Sequence, residues 1–257
     1  INLYVASNPD YPEDEEVIIE DTSFYPANVY YHSWNTQIPH PYDSKITAQD
    51  SVLKLILNGR GKSDGFVMPV VNTLTSQFGW REGRPHKGID IDLEVWDTVV
   101  TAFPGMVRVA KFYGGYGRVV VVRHYNGLET LYAHLHRIKV QPGDTVKAGD
   151  LIGLGGSSGH STGSHLHFEC RFKGVPINPL AFINYKEQQL VNDTLVLKKG
   201  NYGYAAFPEG TKFYEVKKGD SLFEIAKMFG TSVNQLTQLN GIKRNQYLFV
   251  GQTLRVI

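Results

Sequence analysis

The sequence predicts a multi-domain chain: a mainly-β domain on an antiparallel sheet, preceded by an acidic segment and followed by a small α+β module of βααβ order. Three observations predict it. From Phe66 to Ile183, short Val-rich apolar runs alternate with glycine turns (GIDIDL, GMVRVAKF, GRVVVVRH, LETLYAHL, DLIGLGG, HLHFECRF), which is a hairpin pattern. Residues 213–257 change character and read strand, helix, helix, strand. Charge is split as well: residues 1–44 hold eight acids (Asp10, Glu13, Asp14, Glu15, Glu16, Glu20, Asp21, Asp43) and no Lys or Arg, so the remainder is net basic although the chain sums to +1.

Taken in order, residues 1–62 form an acidic lead-in. Asn8 to Asp43 is rich in Pro, Tyr and Asn without a sustained period, and is expected to lie as an arm on something else. TAQDSVLKLILN over 47–58 is compatible with a short helix or a strand. Residues 63–183 are the β domain, and the mixed, polar residues 184–212 read as a linker. In 213–257, FYEVKKGD is a strand and turn. SLFEIAKMFG is a helix capped by Asp220 or Ser221 and closed by Gly230; SVNQLTQLNG is a second helix, and QTLRVI a closing strand. Leu222, Ile225, Ala226, Leu236 and Leu239 are its expected core.

Composition excludes several classes. A 42% hydrophobic and 20% charged chain can build a core and is not a disordered one. No apolar run approaches the ~18–20 residues of a membrane span. The charge split excludes a uniformly basic nucleic-acid binder, and a lone Cys170 excludes a disulfide scaffold.

Four histidines stand out by spacing. His86 and Asp90 are four apart in HKGID, so on a strand they leave one face while Ile89 and Ile91 point into a core. His165 and His167 share a face in HLHFEC, with Leu166, Phe168 and Cys170 on the other. In LYAHL, Tyr132 and His134 fall opposite Leu131, Ala133 and Leu135. Zinc suits such a set, since it takes imidazole and carboxylate ligands and a catalytic site keeps one position for water. Cys170 faces the wrong way and reads as a small buried apolar residue. Asp92 shares the face of Asp90 and reads as a turn-proximal surface acid. His32, His40, His124, His136 and His160 lack comparable partners and read as surface or structural residues.

FGWREGRPHKGIDI, TLYAHL and GSSGHSTGSHLHFEC, with QPGDTVKAGDLIGLGGSSG between them, resemble the motifs of the lysostaphin-type (LytM-like) zinc metallopeptidases, metallopeptidase family 23, over residues 63–183. The resemblance implies a duplicated-hybrid-motif fold and a Zn2+ cofactor. It implies His86, Asp90 and His167 as metal ligands, and His134 and His165 as catalytic residues that do not ligate the metal. Which of those two is the general base stays open. Some members carry an oxyanion-stabilising tyrosine six residues before the first ligand; Trp80 stands there, and Arg81 or Arg84 is an alternative contact for substrate carboxylates. Residues 213–257 resemble a LysM domain, which implies binding of N-acetylglucosamine-containing glycan.

Together the two resemblances imply a peptidoglycan hydrolase cutting peptide stems or cross-links, in the cell envelope, periplasmic or secreted, with a leader expected to have been removed. A catalytically silent adaptor or activator is the alternative, though such relatives lose zinc or catalytic residues and this chain keeps all five. A lipoyl- or biotinyl-type carrier, hinted at by GDTVKAGDLIG, fails for want of a Met-Lys-Met hairpin. Latent family members also lead to the expectation that part of residues 1–62 shields the cleft, with His32, Asn35, His40 or Asn58 as candidate plugs, against the simpler role of a structural wrap.

Overall fold

The computed structural model describes residues 24–42, 52–58, 65–81, 83–200 and 203–256, with the backbone of two short paired strands, Leu3–Val5 and Ile18–Glu20. The acids of the lead-in lie outside the residues described with side chains. The architecture is mainly β, with antiparallel pairing throughout the described strands. The main sheet runs in the order Thr145–Val146, Gly105–Phe112, Arg118–His124, Glu129–Leu135, His165–Phe172, Ile89–Asp92, Leu74–Ser76, and Val175–Ile177 adds to His165–Phe172. A second sheet orders Arg137–Ile138, Leu151–Leu154, Thr98–Val100. Ile89, Ile91, Leu166, Phe168 and Cys170 from the first sheet join Val99 and Ile152 from the second in one apolar core, so the alternation expected of GIDID and HLHFEC holds. Gly88 enters this arrangement where only glycine fits: a Cβ there would stand 2.3 Å from the Phe168 carbonyl oxygen.

Residues 184–212 are not a linker. Thr194–Lys199 is the centre of a third sheet, flanked by Tyr204–Pro208 and by Val52–Ile56, which resolves the ambiguous 47–58 run as a strand. Leu55, Leu195 and Leu197 are buried in the main core, so this sheet belongs to the β body. The sequence disguises it because only the short run Leu195, Val196 and Leu197 is buried while Lys198 and Lys199 are exposed.

The outer face of the main sheet is unusual for what it buries. An irregularity in pairing shapes it: Arg108 is an extra residue between the pairs Val122↔Val107 and Val121↔Val109. Its guanidinium meets Glu129 at 2.6 Å, and Arg123 reaches the same carboxylate at 2.9 Å, all three fully buried. Residues 24–42 lie over this cluster. Arg108 donates to the carbonyls of Asn35 (2.6 Å), Ile38 (2.9 Å) and Pro39 (2.5 Å), and Arg123 to that of Ser33 at 3.1 Å. Tyr42 donates to Glu129 at 2.7 Å, and buried Tyr31 donates to the Gly127 carbonyl at 3.0 Å. Burial alone would raise the Glu129 carboxyl, but the two arginines outweigh it and hold it below the usual carboxylate range.

At the C-terminus, helices Leu222–Met228 and Val233–Asn240 pack on the strand pair Phe213–Glu215 and Thr253–Arg255. Ser221 and Ser232 each close a capping box, with Glu224 and Gln235, and Gly241 ends the second helix in the left-handed region. Leu222, Ile225, Ala226 and Leu236 form the core as expected. Leu239 does not; it is 37% exposed.

The Arg108–Glu129–Arg123 cluster yields a direct expectation. Glu129→Ala leaves two buried guanidinium groups without their carboxylate and should cost about 3–5 kcal/mol, read as a lower urea midpoint. A midpoint equal to that of the parent chain would refute this.

Candidate metal centre

The main sheet brings four of the five predicted residues together by register. His167 stands directly opposite Asp90, and His165 opposite Asp92, across the pair formed by Ile89–Asp92 and His165–Phe172. His86 closes the short hairpin Gly79–Arg81/Arg84–His86 four residues before Asp90. His86 Nε2, Asp90 Oδ1 and His167 Nδ1 converge, with separations of 3.0 Å (His86–Asp90), 3.1 Å (His86–His167) and 2.8 Å (His167–Asp90). All three residues are buried at the base of a cavity of about 680 Å³.

The fifth, His134, arrives by a different route. Ala133 pairs with His167 and Tyr132 with Phe168, so strict alternation would turn His134 into the core beside Tyr132. The expected pairing of Tyr132 and His134 on one face is therefore wrong: Tyr132 is in the core and His134 lines the cavity. Arg118 pairs with Leu135 and Val120 with Tyr132, leaving Ala133 and His134 opposite the single Val119. This bulge, with His134 at φ 63°, re-aims the imidazole. The left-handed backbone costs about 1–2 kcal/mol for a non-glycine residue. The ring lies 4.8 Å from that of His165 and 6.0 Å from that of His167, centroid to centroid.

The outer nitrogens of the cluster are satisfied. His86 Nδ1 donates to the Gln77 carbonyl at 2.7 Å, and His167 Nε2 donates to Glu169 at 3.0 Å. Once His167 gives up its inner proton, both inner nitrogens are acceptors aimed with a carboxylate oxygen at one point. Three converging acceptors call for a cation, a proton in the metal-free state and a metal ion in the loaded one. Their separations of 2.8–3.1 Å are a few tenths of an ångström short of the roughly 3.3–3.6 Å between tetrahedral ligands at ~2.0–2.2 Å, so a small outward shift of the side chains would seat the ion. The residues thus fit a zinc-sized ion. Electrostatics agree in the metal-free state: burial opposes an imidazolium at His167, but hydrogen bonds to Asp90 and Glu169 outweigh it and hold the pKa up at about 9. Burial would raise the Asp90 carboxyl, yet His167 and His86 keep it far below the usual range.

His134 Nδ1 donates to the Ser158 carbonyl at 2.8 Å and His165 Nδ1 to the Gly163 carbonyl at 2.9 Å. Each leaves Nε2 as an acceptor. Burial pushes His134 down to about 4, so it is neutral at pH 7.

Other candidates part ways. Arg81 is engaged, donating to Asp90 Oδ2 at 3.1 Å and to Ser76, whereas Arg84 is exposed on the cavity wall. Trp80 is 75% exposed and outside the cavity lining; Tyr113 and His160 line it instead. His160 was expected to be a bystander. Among the candidate plugs, His32 is exposed, Asn35 bonds within its own turn, Asn58 bonds Asp193, and His40 sits behind Glu169; none lines the cavity. Sequence reasoning missed Glu169, Arg171 and Tyr116, although Glu169 and Arg171 lie two and four residues beyond His167 on its own strand face. Tyr116 Oη donates to Glu169 at 3.0 Å.

Comparisons with known proteins match the segment that carries these residues. The family model "Peptidase family M23" matches residues 84–179 and the LysM domain model residues 214–256. DD-carboxypeptidase/endopeptidase Mpg of Neisseria meningitidis is 41% identical over 122 residues, 45% of this chain and 28% of that protein. Murein hydrolase activator NlpD of Salmonella dublin is 35% identical over 116 residues, 45% of this chain and 30% of that protein. The crystal structure of a zinc-containing peptidase from Vibrio cholerae is 31% identical, covers 45% of this chain and 39% of that one, and superposes with a TM-score of 0.42. The chain thus spans under a third of the two curated relatives. A metal-competent His-Asp-His cluster on an antiparallel sheet, within the matched segment, identifies a mainly-β domain of peptidase family M23, followed in this chain by a LysM domain.

Proposed function

We propose that the chain is a zinc-dependent endopeptidase that hydrolyses peptide bonds in peptidoglycan stems or cross-links, held at the wall by its LysM domain. The observation that carries this reading is the convergence of three outward-anchored donors with two more imidazoles on the same cavity. His86, Asp90 and His167 hold the ion. When bound, zinc supplies a Lewis acid for the scissile carbonyl and makes water acidic enough to deprotonate near neutral pH. The chain's own groups do the rest. His134 and His165, each pinned through Nδ1, present Nε2 to the cavity and share proton handling at the scissile bond. Arg84 on the wall suits the carboxylates of an acidic stem peptide. The LysM domain keeps a weakly bound polymer near the cavity by effective concentration. Such a substrate lies outside the cytoplasmic membrane, which supports an envelope or secreted location; no helix among the described residues is long and apolar enough to span a membrane.

The likeness to an NlpD-type activator favours a second reading, a cell-wall-binding protein that activates other hydrolases without cutting. Zinc content by elemental analysis together with muropeptide profiles of treated sacculi separates the two. Under the peptidase reading His167→Ala loses zinc, while His134→Ala keeps zinc and loses about 10²–10⁴-fold in turnover. A metal-free parent chain with unchanged muropeptides would leave the activator reading standing.

Two further outcomes follow. His167 of the metal-free chain is protonated at pH 7, so zinc binding should release about one proton there and fewer as pH rises through 9, seen by calorimetry in buffers of different ionisation enthalpy. Buffer-independent heats at pH 7 would contradict it. Deleting residues 213–257 should slow hydrolysis of intact sacculi and leave cleavage of a short soluble stem peptide unchanged. Equal losses on both would argue against a tethering role.

A further inference from the structure

The arm over the outer face reaches the metal centre from behind. His40 Nε2 lies 3.2 Å from Tyr116 Oη and 3.7 Å from Glu169 Oε2, and its Nδ1 is buried without a hydrogen-bond partner. Proton counting fixes the direction of each bond. Tyr116 Oη donates its single proton to Glu169 Oε1, so its contact with His40 must be one it accepts. A neutral imidazole has one N–H, and placing it on Nε2 leaves Nδ1 as the bare, unpartnered atom observed. Burial, helped by Arg171, pushes the His40 imidazole down to about 4, so it is neutral across the physiological range.

A chain of donors therefore runs from the arm to the metal ligand: His40 to Tyr116, Tyr116 to Glu169, with Glu169 accepting from His167 Nε2. Its outer end is not loose. Pro39 carries a carbonyl held by Arg108 at 2.5 Å, and Tyr42 is bonded to Glu129 at 2.7 Å, so both flanks of His40 are tied to the buried charge cluster. Glu169 is thus pinned on three sides, by His167, by Arg171 and by a tyrosine that His40 orients.

We propose that His40 is a positioning residue for the metal centre: from the N-terminal arm it orients Tyr116, and through Tyr116 the Glu169 carboxylate that fixes the His167 ring. The arm then completes the site that it was expected to shield. This inference rests on the zinc reading above.

The test uses the full chain as parent, His40→Ala, His40→Gln, Tyr116→Phe and the His40→Ala/Tyr116→Phe double variant. The readouts are zinc affinity by chelator competition, the d–d spectrum of the cobalt(II)-loaded protein, and thermal stability. His40→Ala should weaken zinc about 10-fold, the low end for an outer-shell partner, and alter the cobalt spectrum. His40→Gln, whose amide can donate as Nε2 does, should restore most of the affinity. The double variant should be no weaker than Tyr116→Phe alone, because both act through one path. A role confined to docking the arm would lower the melting temperature and leave affinity and spectrum untouched; that result, or additive losses, overturns the proposal. If His40→Ala fails to fold, His40→Gln and Tyr116→Phe decide it, with parent-like affinity in Tyr116→Phe counting against it. A parent chain that binds no zinc defeats the zinc reading itself, whereas zinc binding indifferent to His40 and Tyr116 defeats only this inference.

Discussion

The pairing of Ile89–Asp92 with His165–Phe172 sets Asp90 opposite His167, and the rest of the centre is arranged around that register. A slip of one residue would send both to the core and bring Ile91 and Phe168 out, an exchange that burial of those apolar residues forbids. Gly88 guards the same register from the other side, since any side chain there would collide with the Phe168 carbonyl. The hydrophobic effect thus fixes the positions of polar atoms it does not touch. Once Asp90 and His167 are opposed, His86 needs only the i, i+4 relation to complete a triangle of donors.

The outer face of the sheet carries the opposite problem. His167, Glu169 and Arg171 on one strand, Glu129 on its neighbour, and Arg108 and Arg123 beyond it put many ionisable groups on a face that residues 24–42 then cover. Buried charge is tolerable only when each group is paired and hydrogen-bonded. The arm supplies what the sheet cannot: backbone carbonyls for guanidinium N–H groups left over after Glu129 is satisfied. Its irregular, Pro-containing sequence is consistent with this role. An arm that offers carbonyls sideways to a sheet cannot spend them on a helix or a ladder of its own.

What was legible in the sequence followed from period and punctuation. GIDID and HLHFEC alternate without interruption, so their faces, and Cys170 among the core residues, could be read directly. Ser221 and Gly230 bracket the first helix of the C-terminal module, and Asn240-Gly241 ends the second. His134 reaches the cavity by a route that simple alternation does not give, because a bulge inserts a residue and breaks the count of two, and LYAHL contains no glycine to announce it. The third sheet was missed because TLVLKK offers only a three-residue apolar run inside a polar stretch, and its partner lies about 140 residues earlier in the chain. Glu169 was missed because attention went to the apolar half of its strand, although a carboxylate two residues from a candidate ligand shares its face by the same rule.

Charge accounting adds a last step. The two carboxylates bonded to the cluster's histidines each have a guanidinium: Asp90 is met by Arg81 through Oδ2, and Glu169 by Arg171. His86 and His167 turn bare nitrogens inward, so the two carboxylates and two arginines sum to no net charge. In the zinc reading the double charge of the ion is then left uncancelled by these four groups. A site built for tight retention would add carboxylates; one built to polarise a carbonyl gains from leaving them neutralised. Arg81 has a further effect, since by holding Oδ2 it leaves Oδ1 as the oxygen of Asp90 turned to the histidines. Affinity in such a site must come from orientation more than from charge. That is consistent with the fixing of both outer nitrogens, of His86 by the Gln77 carbonyl and of His167 by Glu169, before any ion arrives.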